Sequence, residues 1–201
     1  MENLNYYWLK NNSDREKAFD DIVSSLNYRV SDSLDLRNWI ASNTDIESSA
    51  AIFKQLRNIV IIVYKDDLYR NNTYLHILVN FCKITNNPSP IELNKISDNY
   101  LFTEESKDFL LSFESKGKVY QIELKKGKYL DYNFLKPIVN AVNESSSKGN
   151  FYLVDDEQLE DGYCFIYLDE IEYLNFTQKK IIRVKKLTHE LIDDINIWST
   201  K

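Results

Sequence analysis

The sequence contains few of the residues on which cofactor, metal and disulfide sites depend. Its 201 residues include four glycines, three prolines, two cysteines and two histidines. The glycines stand at predicted turns and form no phosphate-binding loop, and no Gly-x-Ser-x-Gly or His-Glu-x-x-His motif occurs. Cys82 and Cys164 form neither a disulfide framework nor a Cys-x-x-Cys pair. We therefore expect no cofactor, no metal site and a reducing compartment.

Excess positive charge and long apolar segments are also lacking. Lys and Arg number 25 against 31 Asp and Glu, and the net charge of −6 argues against a dedicated nucleic-acid binder. The longest apolar run, residues 59–64, is far shorter than the ~20 residues that a membrane span needs. The N-terminus has no signal-peptide pattern. These features predict a cytoplasmic protein that binds neither nucleic acid nor a membrane.

Helical patterns dominate residues 1–100. Three capping boxes precede apolar residues at helical spacing and predict helix starts at Ser13/Glu16, Thr44/Glu47 and Ser89/Glu92. Residues 59–63 are rich in β-branched side chains, so this stretch suits either the end of a helix or a buried strand.

Beyond residue 105 the apolar period changes from helical to alternating. Residues 109–113 and 120–124 alternate on either side of Lys116-Gly117, which predicts a β-hairpin. A helix is predicted at 131–144, in which Pro137 must either lie near the first turn or kink the helix. The remaining predicted elements are a strand at 151–154, a central strand at 163–168, a short helix around Ile171 and Leu174, a lysine-rich edge strand at 181–187 and a last helix capped by Thr188.

The order of these patterns predicts an α+β fold. A helical region, residues 1–100, is expected to pack on an α+β region, residues 101–201, that holds a small, mostly antiparallel sheet with helices. The boundary is soft and falls within residues 98–106, where no repeat or low-complexity linker occurs. We therefore expect one compact unit.

One pattern is a candidate for catalysis. Arg70 is followed, after a short polar gap, by His76 at the start of a predicted helix. This arrangement resembles the active motif of HEPN-type ribonucleases. The resemblance implies that Arg70 stabilises charge on a scissile phosphate and that His76 transfers the proton. The alternative is that His76 lies beside an apolar helix face and that Arg70 is a solvated loop cation.

Acidic residues concentrate in one stretch of the second half. Residues 155–172 contain eight acids and no Lys or Arg, whereas residues 179–186 contain five basic residues and no acid. We interpret residues 155–161, the acidic segment, as a docking surface for a basic partner, because complementary charge accelerates association. The alternative is intramolecular pairing with the basic stretch, at ~0–1 kcal/mol for each surface pair. The candidate contacts are Asp155, Asp156, Glu157, Glu160 and Asp161.

Residues 107–176 have a layout that resembles a known class of protein. The extended segment at residues 118–124 is followed by Tyr132-Asn-Phe-Leu-Lys-Pro-Ile-Val-Asn, by Asn150-Phe-Tyr-Leu-Val-Asp-Asp and by Gly162-Tyr-Cys-Phe-Ile-Tyr-Leu. This succession is similar to that of small immunity proteins of bacterial polymorphic toxin systems. The resemblance implies an α+β fold and toxin neutralisation, with the acidic segment as a candidate contact.

Together, these observations lead to one hypothesis and two alternatives. We expect a non-enzymatic, cytoplasmic, protein-binding protein, most specifically an immunity protein that neutralises a toxin by occluding a basic domain. The first alternative is a HEPN-like, metal-independent ribonuclease that uses Arg70 and His76. The second is a virus-encoded protein that interacts with a host protein.

Overall fold

The computed structural model describes most of the chain, namely residues 12–26, 33–42, 56, 59–68, 71–85, 94–98, 100, 108–145, 148–154, 162–179 and 183–199. In chain order, the elements are α1 (Asn12–Ser25), α2 (Ser33–Ser42), β1 (Val60–Tyr64), α3 (Thr73–Lys83), β2 (Asn94–Asp98), β3 (Phe109–Ser115), β4 (Lys118–Leu124), a 3-10 turn (Tyr132–Phe134), α4 (Leu135–Glu144), β5 (Gly149–Val154), β6 (Gly162–Asp169), α5 (Glu170–Gln178), β7 (Val184–Lys186) and α6 (His189–Ser199). The predicted α+β fold is confirmed. None of the described helices is long and apolar enough to cross a lipid bilayer.

A four-stranded antiparallel sheet in the order β1-β6-β5-β7 forms the middle of the molecule. Strand β6 is buried on both faces, with Cys164 and Ile166 on one and Phe165 and Tyr167 on the other. A strand that is covered on both faces reads as a continuous apolar run, which is the pattern of the β6 sequence. The predictions of a central strand here and of a lysine-rich edge strand at β7 are confirmed.

Two apolar cores lie on opposite faces of this sheet. On one face, Phe81 of α3, Ile138 of α4 and Ile192 of α6 join a core that also contains the inner face of the second sheet. On the other face, Ile22 of α1 and Phe176 of α5 belong to a second core. The four-stranded sheet is therefore sandwiched between two layers.

The second sheet has the order β2-β3-β4 and contains the predicted hairpin. Lys116 and Gly117 form its two-residue turn with φ of 52° and 78°. Positive φ at both positions is what a type I′ turn requires, and that turn matches the natural twist of the two strands. The inner face of the hairpin, with Leu111 and Phe113, packs into the larger core.

The first hundred residues are not helical throughout. Of the two alternatives for residues 59–63, the strand is the one observed, because β1 pairs along β6 from Val60↔Ile166 to Tyr64↔Gly162. Strand β2 pairs with β3 and breaks the helical pattern a second time. Each sheet thus joins strands from both predicted regions. The predicted helix starts at Thr44 and Ser89 lie outside the described residues.

Local sequence signals agree with the later helices. Pro137 is the third residue of α4, in the first turn, where backbone N–H groups have no partner within the helix. The N–H of Leu191 donates to Thr188 Oγ1 at 3.2 Å, which confirms the predicted cap of α6. Asp169 and Glu172 form a capping box at the start of α5.

Candidate functional site

Most of the residues proposed from the sequence fall outside the described ranges. Arg70 and the five acids of the acidic segment, Asp155, Asp156, Glu157, Glu160 and Asp161, are among them. His76 is described, and so are the ends of β5 and β6, which border the acidic segment at Val154 and Gly162.

His76 lies in the first turn of α3 with its side chain exposed. Its neighbours Tyr74, Ile77 and Leu78 are buried, so the helix turns its apolar side inward and His76 outward. The backbone N–H of His76 donates to Asn72 O at 3.2 Å. The predicted position of this histidine at a helix start is confirmed, and its imidazole faces solvent.

Asp98, at the end of β2, caps α3 from a distance in sequence. Asn72 at the helix start is left-handed, with φ of 57°, and makes no capping hydrogen bond with its side chain. Instead, Asp98 Oδ2 accepts from the N–H of Leu75 at 2.9 Å, and its Oδ1 accepts from the N–H of Tyr100 at 2.9 Å. Burial raises the pKa of Asp98, whereas these hydrogen bonds and the nearby His76 oppose the rise. Both oxygens are thus occupied in holding backbone together.

The start of β6, where the acidic segment ends, lies beside an exposed aromatic ring. Gly162 pairs with Tyr64 at the end of β1, and the Tyr64 side chain is 38% exposed. A Cβ at Gly162 would lie 3.0 Å from Tyr64 Cδ1 and 3.0 Å from Val63 O. The absence of a side chain at Gly162 therefore lets the ring of Tyr64 lie against the strand.

The neighbouring residue of β6 contacts the end of α6. The ring of Tyr163 packs edge-to-face on Tyr132, and its hydroxyl receives a hydrogen bond from Ser199 Oγ at 3.4 Å. Just before Ser199, Ile197 and Trp198 are 55% and 46% exposed. Tyrosine and tryptophan offer a large contact area with a polar edge, a combination enriched at protein interfaces.

A separate groove of about 410 Å³ runs between β4 and α4, with His189 at its margin. One wall is anchored by Glu144 at the end of α4, which accepts from Lys118 Nζ at 2.5 Å and from the hydroxyl of Tyr120 at 2.8 Å. These hydrogen bonds lower the pKa of Glu144. Burial and the bond to Glu144 raise the pKa of Tyr120 to about 12. The three side chains tie α4 to the strand.

The floor of the groove is tied to α6 by two further contacts. Lys136 Nζ lies 2.6 Å from Asp193 Oδ1, and His189 Nε2 lies 3.0 Å from Asn140 Oδ1. The described lining contains no serine or cysteine nucleophile. Within the described ranges, no group of three or more His, Cys, Asp or Glu side chains is placed to hold a metal ion. The groove offers binding groups: cations, amides and an open strand edge.

The sequence signal for this groove is the lysine content of the segment that contains its strand. Residues 116–128 contain five lysines and a single acid, in a protein whose net charge is −6. The larger contrast between residues 155–172 and 179–186 obscures that local excess. The floor of the groove, which α4 forms, lies beside β4 only in the tertiary fold.

Comparisons with known proteins find no matching family model, no matching curated protein and no matching solved structure. The candidate binding features of this chain are the exposed ring of Tyr64 beside Gly162, the exposed His76, and the groove beside β4.

Proposed function

We propose that the protein binds another protein in the cytoplasm without catalysing a reaction, and that it is an immunity protein that neutralises a toxin by occlusion. The observation that carries this proposal is the position of Tyr64. Its exposed ring lies against Gly162, the first residue after the acidic segment. A partner that reaches Gly162, which follows the acidic segment in the sequence, therefore also meets the exposed ring of Tyr64.

The two parts of this surface have different physical roles. The acids of residues 155–161 attract a basic toxin domain, and complementary charge of this kind acts mainly on the association rate. Tyr64 supplies apolar area that is buried on contact, which acts mainly on the dissociation rate. Occlusion of a basic active site needs both fast capture and slow release.

The direct test is binding to the products of the neighbouring genes, among which we expect a toxin with a basic domain. A variant with Asp155→Asn, Asp156→Asn and Glu157→Gln is expected to associate more slowly at low salt, with the difference shrinking as salt is added. Tyr64→Ala is expected to dissociate faster. The matched control converts three exposed acids elsewhere, Asp108, Glu190 and Asp194, to their amides and should change neither rate. Absence of any complex at micromolar concentration contradicts the proposal.

The ribonuclease alternative is favoured by one observation, the exposure of His76 in the first turn of α3. If this alternative is right, the purified protein cleaves RNA in the presence of a chelator, and His76→Ala abolishes cleavage while the fold is retained. His189→Ala removes the other histidine of the chain and serves as the control, with cleavage expected to persist. Intact RNA after incubation with the unaltered protein excludes this function.

A further inference from the structure

Strand β4 has an open edge along the groove. In the described part of the chain, β4 has β3 on one side and no strand on the other. Because the turn has two residues, Ser115 and Lys118 on either side of it form a hydrogen-bonded pair. The backbone N–H and C=O groups of an antiparallel strand alternate in direction, so those of Lys118, Tyr120, Ile122 and Leu124 point toward β3. The backbone groups of Val119, Gln121 and Glu123 therefore point to the open edge.

This edge has none of the features that usually prevent strand addition, apart from charge. Strand β4 is seven residues long, contains no proline and pairs with β3 in a continuous register without a bulge. Short length, proline and bulges are common means of blocking an edge. Val119 is 61% exposed on the outer face, and its side chain offers a cross-strand contact.

The groove provides a floor for such a strand. A paired strand lies about 4.8 Å from its neighbour and directs alternate side chains to either face. Here, one face of an added strand would lie over Pro137 and Asn140 of α4. The bonds of Glu144 to β4 and of Lys136 to Asp193 hold this floor in place without a ligand. Little ordering is needed on binding, which favours affinity.

The charge along the edge defines the chemistry of the occupant. Lys116 in the turn and Lys125 just beyond the strand are both exposed, whereas Lys118 is paired with Glu144 and Lys126 lies over the ring of Tyr100. Two β4 edges paired antiparallel about Gln121 would bring Lys125 of one copy next to the turn that carries Lys116 in the other, and like charges placed close together across paired strands are destabilising. The charge pattern therefore disfavours a second copy of this chain and favours an acidic segment.

We propose that the edge of β4 receives an extended, acidic segment of another protein as an added strand. The segment pairs with the backbone of Val119, Gln121 and Glu123, and its acidic side chains face Lys116 and Lys125. This inference does not depend on the proposed function, which assigns a basic partner to a different surface. Failure of one proposal therefore leaves the other in place.

The test uses amide NMR spectra of the whole protein with defined peptides. The probe is blocked Thr-Glu-Val-Asp-Val-Glu-Thr, and the control peptide has lysine in place of each acid. We expect the acidic peptide to shift the amide signals of Val119, Gln121 and Glu123 and to slow their hydrogen exchange. No shift at these amides up to millimolar peptide, or equal shifts with the lysine peptide, overturns the inference.

Two variants separate strand pairing from general charge attraction. Gln121→Pro removes one outward N–H and should abolish binding, and the double variant Lys116→Glu with Lys125→Glu should weaken binding roughly tenfold. The control pair Lys17→Glu with Lys186→Glu changes the net charge equally on α1 and β7 and should leave the affinity unchanged. Equal weakening by both charge-reversal pairs contradicts a site at β4.

Discussion

Gly149 lies directly against the ring of Tyr167 on the neighbouring strand. A Cβ at position 149 would overlap Cζ and the hydroxyl oxygen of that ring. Tyr167 is almost fully buried and packs edge-to-face on Phe151, with ring centroids 5.1 Å apart. The first residue of β5 is thus a glycine because the tyrosine ring occupies the space of its side chain.

Gly149→Ala is expected to destabilise the protein by about 1–3 kcal/mol, because a buried aromatic ring and the sheet must move apart. Urea unfolding followed by circular dichroism measures this change. Gly127→Ala is the control. A Cβ at position 127 would lie 3.8 Å from its nearest neighbouring atom, an ordinary contact, so the urea concentration at the midpoint of unfolding should stay the same or rise slightly. Equal midpoints for the two variants would contradict the observed packing.

Asp98→Ala is expected to lower the free energy of unfolding by about 1–2 kcal/mol, because α3 loses the carboxylate that caps its start. Asp98→Asn keeps one acceptor oxygen and should lose less. His76→Ala, in the same helical turn, removes an exposed side chain and should cost little. Chemical denaturation of the three variants provides the comparison, and a large loss in His76→Ala alone would reverse the assignment.

The hydrogen bonds of Glu144 with Lys118 and Tyr120 should make the stability of the protein depend on pH. Lys118 and Tyr120 lower the pKa of Glu144 in the folded state, so Glu144 adds stability above its ordinary pKa, and this contribution disappears as pH falls through the lowered value. Glu144→Gln should therefore be less stable than the unaltered protein at neutral pH, with the difference vanishing in acid. Unfolding at a series of pH values measures it.

Glu123→Gln is the matched control for that experiment. Glu123 is an exposed acid on β4, the strand that carries Lys118 and Tyr120, and it makes no ion pair among the described residues. We expect the curve for this variant to run parallel to that of the unaltered protein. If the free energy of unfolding of Glu144→Gln differs from that of the unaltered protein by the same amount at every pH, the charge of the carboxylate has no part in stability.

Both cysteines should be unreactive in the folded protein. Burial raises the pKa of the Cys82 thiol to about 12, and Cys164 is buried in the core of the second face. Because the thiolate is the reactive form, an aromatic disulfide reagent at pH 8 should modify neither residue until denaturant is added. Cys82→Ser and Cys164→Ser variants identify the source of any signal. If the native protein rapidly releases one equivalent of aromatic thiolate from the reagent, one of the two cysteines is accessible, which would contradict the observed burial.

Several elements could be predicted from the sequence because their signals are local. The hairpin follows from alternation around Lys116-Gly117, and the central strand β6 follows from a run that is apolar on both faces. Helix α6 begins next to Thr188, the residue that caps it. The sequence also predicts a helix start at His76, and His76 lies in the first turn of α3.

Other features were decided only by the tertiary structure. The sequence of β2, Asn94–Asp98, alternates weakly, and this segment becomes a strand because β3 presents an edge to it. Asp98 caps α3 by accepting a hydrogen bond from Leu75, which lies 23 residues earlier in the sequence. The groove depends on the contact between Glu144 and Lys118, which are 26 residues apart. Periodicity and capping motifs act within a few residues of the chain. A strand edge, a remote cap and a groove exist only when distant segments are packed together, because burial and the partner strand supply the free energy that local preference lacks.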